Sequence, residues 1–108
     1  MKKTLREVCD ELAISRRSIQ GYEKMGLVAP AGRNPYGHLL YDEAGQKRIQ
    51  TIRFYQQIGF SRKEIQGLLD APNTVQKAAL QSKACELEIK RQQLQQLIEQ
   101  IEVLIAAL

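Results

Sequence analysis

From Thr74 to Leu108 the chain contains neither glycine nor proline. Within that stretch Leu80, Leu87, Leu94, Ile101 and Leu108 recur every seventh residue. Four residues after each of the first four come Ala84, Arg91, Ile98 and Ile105. These are the d and a positions of a heptad repeat, with one charged interruption at Arg91. At about 1.5 Å per residue the helix is about 50 Å long. One alternative is that the helix folds back on its own globular part, but a small body covers such a length poorly, and an apolar seam left in water is unfavourable. Residues 72–108 are therefore expected to be a dimerisation helix in a two-stranded coiled coil. Its contact residues are Leu80, Ala84, Leu87, Leu94, Ile98, Ile101, Ile105 and Leu108. The heptads alone leave the strand direction open.

The remaining residues, 1–71, are expected to form one small domain with an ordinary core. Residues 1–70 hold twelve Lys/Arg against eight Asp/Glu, whereas residues 71–108 hold four of each. All six aromatic residues also lie before residue 61. A local basic excess of this kind points to a polyanion partner.

Other classes are disfavoured. No apolar run has the length of a membrane span, and Met1-Lys2-Lys3-Thr4 turns polar too early for a signal peptide. Cys9 and Cys85 are far apart with no second ligand cluster beside either, which argues against a zinc site or a disulfide scaffold. Two reduced thiols in a cytoplasmic protein are expected. His38, the only histidine, has no cysteine or serine partner at a recognisable spacing. There is no glycine-rich phosphate loop or carboxylate constellation. No enzyme, metal or cofactor is expected.

Local signals order the N-terminal part. Thr4-x-x-Glu7 is a capping box, and Leu5, Val8, Cys9 and Leu12 mark one face of a short helix. After a tight link at Ala13-Ile14, Ser15 caps a second helix ending near Gly26. Two short helices so closely joined have the pattern of a helix-turn-helix. Leu27–Pro30 leaves in extended form, Ala31–Gly37 is dense in turn formers, and His38–Tyr41 suits a strand. Extended, turn, extended makes a hairpin, and in this position a hairpin is a wing. Asp42 caps a third helix reaching about Ile58, with Ile49, Ile52 and Tyr55 as its buried stripe. Ser61-x-x-Glu64 is a second capping box, opening a fourth helix that Pro72 stops. The fold class is mainly α: a winged helix-turn-helix with two supporting helices and a long C-terminal coiled-coil helix.

The stretches "ISRRSIQGYEKMGLVAP", "NPYGHLLYDE" and "QQIGFSRKEIQGLLD", followed by the long helix, resemble the DNA-binding half of a MerR-family transcription regulator. The likeness spans essentially the whole chain in the right order. "DAPNTVQKAALQSK" further resembles the multidrug-responsive activators of that family. The resemblance implies an antiparallel coiled coil between two subunits. It also implies a palindromic promoter operator in double-stranded DNA that is bent and untwisted, so that RNA polymerase is controlled through the DNA. Members usually carry a C-terminal effector domain; none is visible in this chain.

Candidate DNA contacts follow. Arg17 matches the family's arginine at the start of the second helix and can grip guanine O6 and N7 with two hydrogen bonds. Arg16 can reach a base or a phosphate, and Ser15 and Ser18 can donate to phosphates. Tyr22 matches a family tyrosine that approaches the phosphate backbone. Since it also lies on the Ile19 stripe, its ring is expected buried and its hydroxyl outward. Thr4 matches a first-helix cap whose free N–H groups attract a phosphate. Arg33, Asn34, Tyr36 and His38 are the wing's candidates, and Arg62 and Lys63 are a further phosphate clamp.

Two departures stand out. The family usually has Arg-aromatic-Tyr where this chain has Gln20-Gly21-Tyr22, and Gly-aromatic-Arg where it has Gly37-His38-Leu39. Two cationic contacts are thus missing, which should weaken binding and flatten its salt dependence. Gly21 is expected either to let the DNA backbone approach or to give up a contact. Two other functions stay open at this point: an architectural DNA-bending protein of the excisionase kind, and a coiled-coil adaptor with degenerate DNA binding.

Overall fold

The computed structural model describes residues 1–108 and resolves two compact units, Met1–Asp70 and Ala71–Leu108. In the first, a short strand β1 (Lys3–Thr4) leads into α1 (Leu5–Leu12). The turn to α2 (Arg16–Lys24) is very tight, and it places Ala13 in the left-handed region at φ 54°. An alanine there costs about 1 kcal/mol. In return the Ala13 and Ile14 N–H groups both close on the Cys9 carbonyl, and Ile14 enters the core. Gly26, at φ 73°, ends the second helix as a left-handed glycine.

The wing differs from the expected hairpin. Its first arm is β2 (Gly32–Arg33), which pairs antiparallel with β3 (Leu39–Tyr41). Leu27 and Val28, expected in the extended arm, are instead core residues. Their apolar side chains gain more from burial than a solvated edge strand could give. β1 pairs on the other side of β3, giving the order β1-β3-β2. This third strand had no sequence signal, because two residues are too few to show alternation.

α3 (Glu43–Gln57) is capped by Asp42, whose side chain accepts from the Gly45 N–H. Its stripe of Ile49, Ile52 and Tyr55 is buried. α4 (Arg62–Leu68) opens on the Ser61–Glu64 capping box and buries Ile65 and Leu68. It ends before Pro72, which stands instead at the N-cap of the next helix. Val8, Ile19, Tyr22, Tyr41, Ile49, Ile52 and Ile65 form a core in which each is at most 1% exposed. Each such side chain contributes about 1.5–3 kcal/mol on burial. No buried side-chain polar atom lacks a partner.

Three carboxylates are tied at the surface. The Thr4 backbone N–H holds the Glu7 carboxyl below its ordinary range, the N-terminal amine does so for Glu43, and the Arg48 guanidinium for Asp70. A depressed folded value means that the stabilisation is present at neutral pH and is lost as pH falls through that value. Glu23 is shifted upward by burial and acts in the opposite sense, its contribution being lost as pH rises. With three against one, the urea midpoint should fall between about pH 5 and pH 3. Asp70→Asn should flatten that fall. A midpoint that rises on acidification would contradict the assignment. All three ties are exposed, so added salt should weaken the effect.

The second unit is α5 (Asn73–Ala107), a single helix of 35 residues. The Gln76 side-chain amide donates to the Ala71 carbonyl at its start. The seam residues Leu87, Leu94, Ile98, Ile101, Ile105 and Leu108 are all exposed along the single chain. Leu97 and Leu104 are exposed beside them and widen the stripe in the C-terminal half. Arg91 is held by Glu88 one turn earlier, at 2.6 Å. None of the helices is long and apolar enough to cross a membrane.

Candidate nucleic-acid interface

The second helix is built to show one face. Ser15 Oγ accepts the Ser18 N–H at 3.1 Å and lies 2.9 Å from Ser18 Oγ. Two hydroxyls sharing one mutual bond leave one hydrogen to donate outward. Ile19 and Tyr22 are fully buried and fix the helix's rotation. The opposite face therefore presents Arg17, Gln20 and Lys24, all exposed, with Gly21 between them. Lys24 was missed in the sequence, although its position seven residues after Arg17 places both on one face. Arg16 is exposed at the helix start, near enough to Cys9 for its charge to oppose the upward shift that burial gives that thiol. None of Arg16, Arg17, Lys24 and Arg62 forms a salt bridge.

Tyr22 corrects the expectation of an outward hydroxyl. The residue is 0% exposed, and its hydroxyl donates to Gln56 Oε1 at 2.6 Å. Burial raises its pKa, while Arg53 and Arg62 pull it back. The structure makes it a packing residue that joins α2 to α3. Thr4 is corrected in part. Its Oγ1 accepts from the Glu7 N–H, and its own N–H donates to Glu7 Oε1. Both backbone donors of that box are spent inside it, beside an ionised Glu7 that repels a phosphate, and only the Thr4 hydroxyl hydrogen remains to donate outward.

The wing tip is self-stapled. Asn34 Oδ1 accepts from the N–H groups of both Tyr36 and His38, at 3.0 and 2.9 Å. The carbonyl oxygen of Asn34 is therefore occupied inside the turn, and this residue shapes the wing. Arg33 Nη1 donates to the Gly37 carbonyl at 2.7 Å, leaving the rest of its fork free to point outward. His38 is exposed, and Tyr36 is 84% exposed, which no packing demand explains.

From α4, Lys63 is exposed and Arg62 half-buried. The Arg62 guanidinium lies over the Tyr22 ring, 5.6 Å from its centroid. Ser15, Arg17, Ser18, Gln20, Lys24 and Arg62 line one open groove along the second helix. The fold thus gathers Ser15, Arg17, Ser18 and Arg62, keeps Arg33, Asn34, Tyr36 and His38 on the separate wing, leaves Thr4 its hydroxyl hydrogen alone, and withdraws Tyr22 into a structural bond. Cys9 and Cys85 are both free thiols, in different units.

Comparison with known proteins bears on this arrangement. A family model described as "MerR HTH family regulatory protein" matches residues 3–72, and one described as "MerR, DNA binding" matches residues 46–108. The HTH-type transcriptional activator mta of Bacillus subtilis is 35% identical over 102 residues. That alignment covers 94% of this chain but only 40% of the activator's length. The crystal structure of MtaN, the N-terminus of the Bacillus subtilis multidrug transporter activator, has 34% identity and a TM-score of 0.72. It covers 93% of this chain and 94% of that one. The fold also matches HiNmlR, a MerR family regulator bound to promoter DNA, with a TM-score of 0.76 at 17% identity, over 92% of this chain and 80% of that one. The expected winged helix-turn-helix is borne out, and these relatives are transcription regulators, not enzymes. With its capped second helix, its wing and its long terminal helix all matched in order, the chain belongs to the MerR family of helix-turn-helix regulatory proteins.

Proposed function

We propose that the protein is a homodimeric, sequence-specific transcription regulator that binds a pseudo-palindromic promoter operator. The observation that carries this reading is the exposed face of α2, where Arg17 and Lys24 project beside capped serines and no carboxylate neutralises them. The start of α2 enters the major groove, and Arg17 reads guanine. Arg16, Ser15, Ser18, Arg62 and Lys63 position the helix on phosphates. Arg33, Tyr36 and His38 carry the wing to the flanking backbone. α5 pairs antiparallel with its copy and sets the half-site spacing. Reading by residues 1–71 and pairing by residues 72–108 are separate tasks, divided one residue beyond the point where the compact units part. Distortion of the bound DNA controls RNA polymerase through the DNA, and the working compartment is the cytoplasm.

Support comes from the promoter DNA in the HiNmlR structure and from the activators among the relatives. Selection of bound duplexes from a random pool should yield an inverted repeat, and permuted-site assays should show a bend at its centre. Equal affinity for the selected site and for random duplex at every salt concentration would overturn the reading.

A further inference from the structure

Gly21 sits in the body of α2, where glycine costs about 1 kcal/mol relative to alanine. The fold explains its presence. A Cβ at position 21 would lie 2.5 Å from Arg62 Nη1 and 3.0 Å from Arg62 Cζ. Gly21 is therefore a notch in α2, and the guanidinium of Arg62 occupies it. The Tyr22 ring forms one wall, 5.6 Å from the guanidinium carbon. Hydrogen bonding to Gln56 holds that ring in place.

The seating of α4 is equally specific. One turn after Arg62, Gln66 Nε2 donates 3.0 Å to the carbonyl of Met25, itself one turn after Gly21. Ile65, between them, is fully buried. The two helices thus meet at two rungs one turn apart, and Arg62 is the rung nearer the start of α2. Along the exposed face of α2, Arg17 and Lys24 are separated by about 10 Å of helix. The positions between them, Gln20 and Gly21, carry no charge. Arg62 fills that gap from another helix.

Resting on the DNA-binding reading above, we propose that Gly21 is a positioning residue that seats Arg62 as a phosphate-binding cation on the face of α2. The cation is supplied by α4 rather than by the recognition helix itself. The Tyr22 face holds the guanidinium carbon by a cation–π contact, and the N–H edge remains to meet a phosphate oxygen.

Two readouts test this in the full chain. In the free protein, the Arg62 side-chain protons should show an upfield ring-current shift from Tyr22 by NMR, and Gly21→Ala should abolish it. Absence of the shift in the wild type, or its survival in Gly21→Ala, overturns the notch. With selected operator DNA, Arg62→Ala should flatten the slope of log affinity against log salt by about 0.9 per half-site, close to two for the dimer. Between 50 and 200 mM salt that is about a tenfold smaller loss of affinity. Gly21→Ala should give the same flattening, and the double variant no more than either single change. Additive slopes, or an unchanged slope in Gly21→Ala, overturn the coupling. If the ring-current shift behaves as stated but the wild type binds no duplex, the notch stands, while the phosphate role and the DNA-binding reading both fall. Because the colliding atoms are the flexible end of Arg62, both variants should fold, and near-ultraviolet circular dichroism checks this.

Discussion

Arg17→Ala is expected to remove sequence preference while leaving the fold intact. The side chain is exposed, forms no salt bridge and takes no part in the Ser15–Ser18 cap. Alanine is also the better helix former. What disappears is a planar fork that matches two acceptors on one guanine. Each such contact is worth about 1–3 kcal/mol of discrimination. Fluorescence anisotropy should therefore show affinity for the selected site falling about fivefold to 150-fold per half-site. Affinity for scrambled duplex should fall only by the loss of one charge per subunit. Arg17→Lys should keep the second property and lose the first, because an ammonium cannot grip two acceptors in one plane. Equal losses on both duplexes would assign Arg17 to the phosphate backbone instead.

The second large effect concerns α5. Leu94→Glu combined with Ile98→Glu should convert a dimer into a monomer at micromolar concentration by sedimentation. Both residues are exposed along the single chain, so the change costs the isolated subunit little. In a paired coil it would leave four carboxylates desolvated, a penalty of several kcal/mol. Operator affinity should fall by about 10²-fold or more, since two half-sites are then no longer bound by one linked particle. Arg91→Leu should act in the opposite direction: it removes the charged interruption at an a position, and with it an exposed pair to Glu88 worth at most about 1 kcal/mol. An unchanged sedimentation profile in the doubly charged variant would show that α5 is not the pairing surface.

Much of this was legible because the signals are local. Thr4-x-x-Glu7 and Ser61-x-x-Glu64 formed their capping boxes as read, since a capping box joins residues only three apart. Ile49, Ile52 and Tyr55 were buried together because helical periodicity alone sets which residues share a face. Arg17 could be placed on the outward face of α2 from the burial of Ile19 and Tyr22 by the same rule. The misreadings share a different cause. Thr4 keeps only its hydroxyl hydrogen for a phosphate, because the capping box that its spacing encodes ties up both backbone donors. Asn34 has a second task that its type does not show: its amide oxygen shapes the turn, and only its N–H₂ group is left to meet a phosphate. Leu27 and Val28 read as part of the wing's first arm, yet they are core residues and the pairing arm is Gly32–Arg33.

The sequence by itself determined which segments are helical, where the first four are capped, which face of each is apolar, and that the terminal helix carries an apolar seam. Those properties depend on interactions within one or two helical turns, which spacing encodes directly. Only the tertiary structure decided that β1 joins the wing strand, that Tyr22 turns its hydroxyl inward to Gln56 across 34 positions, and that Gly21 receives a guanidinium from residue 62. These pairings join residues distant along the chain and leave no periodic trace. They are fixed by how the helices dock once Ile19, Ile52 and Ile65 are buried. Docking turned an apparent defect in the recognition helix into a seat for a cation.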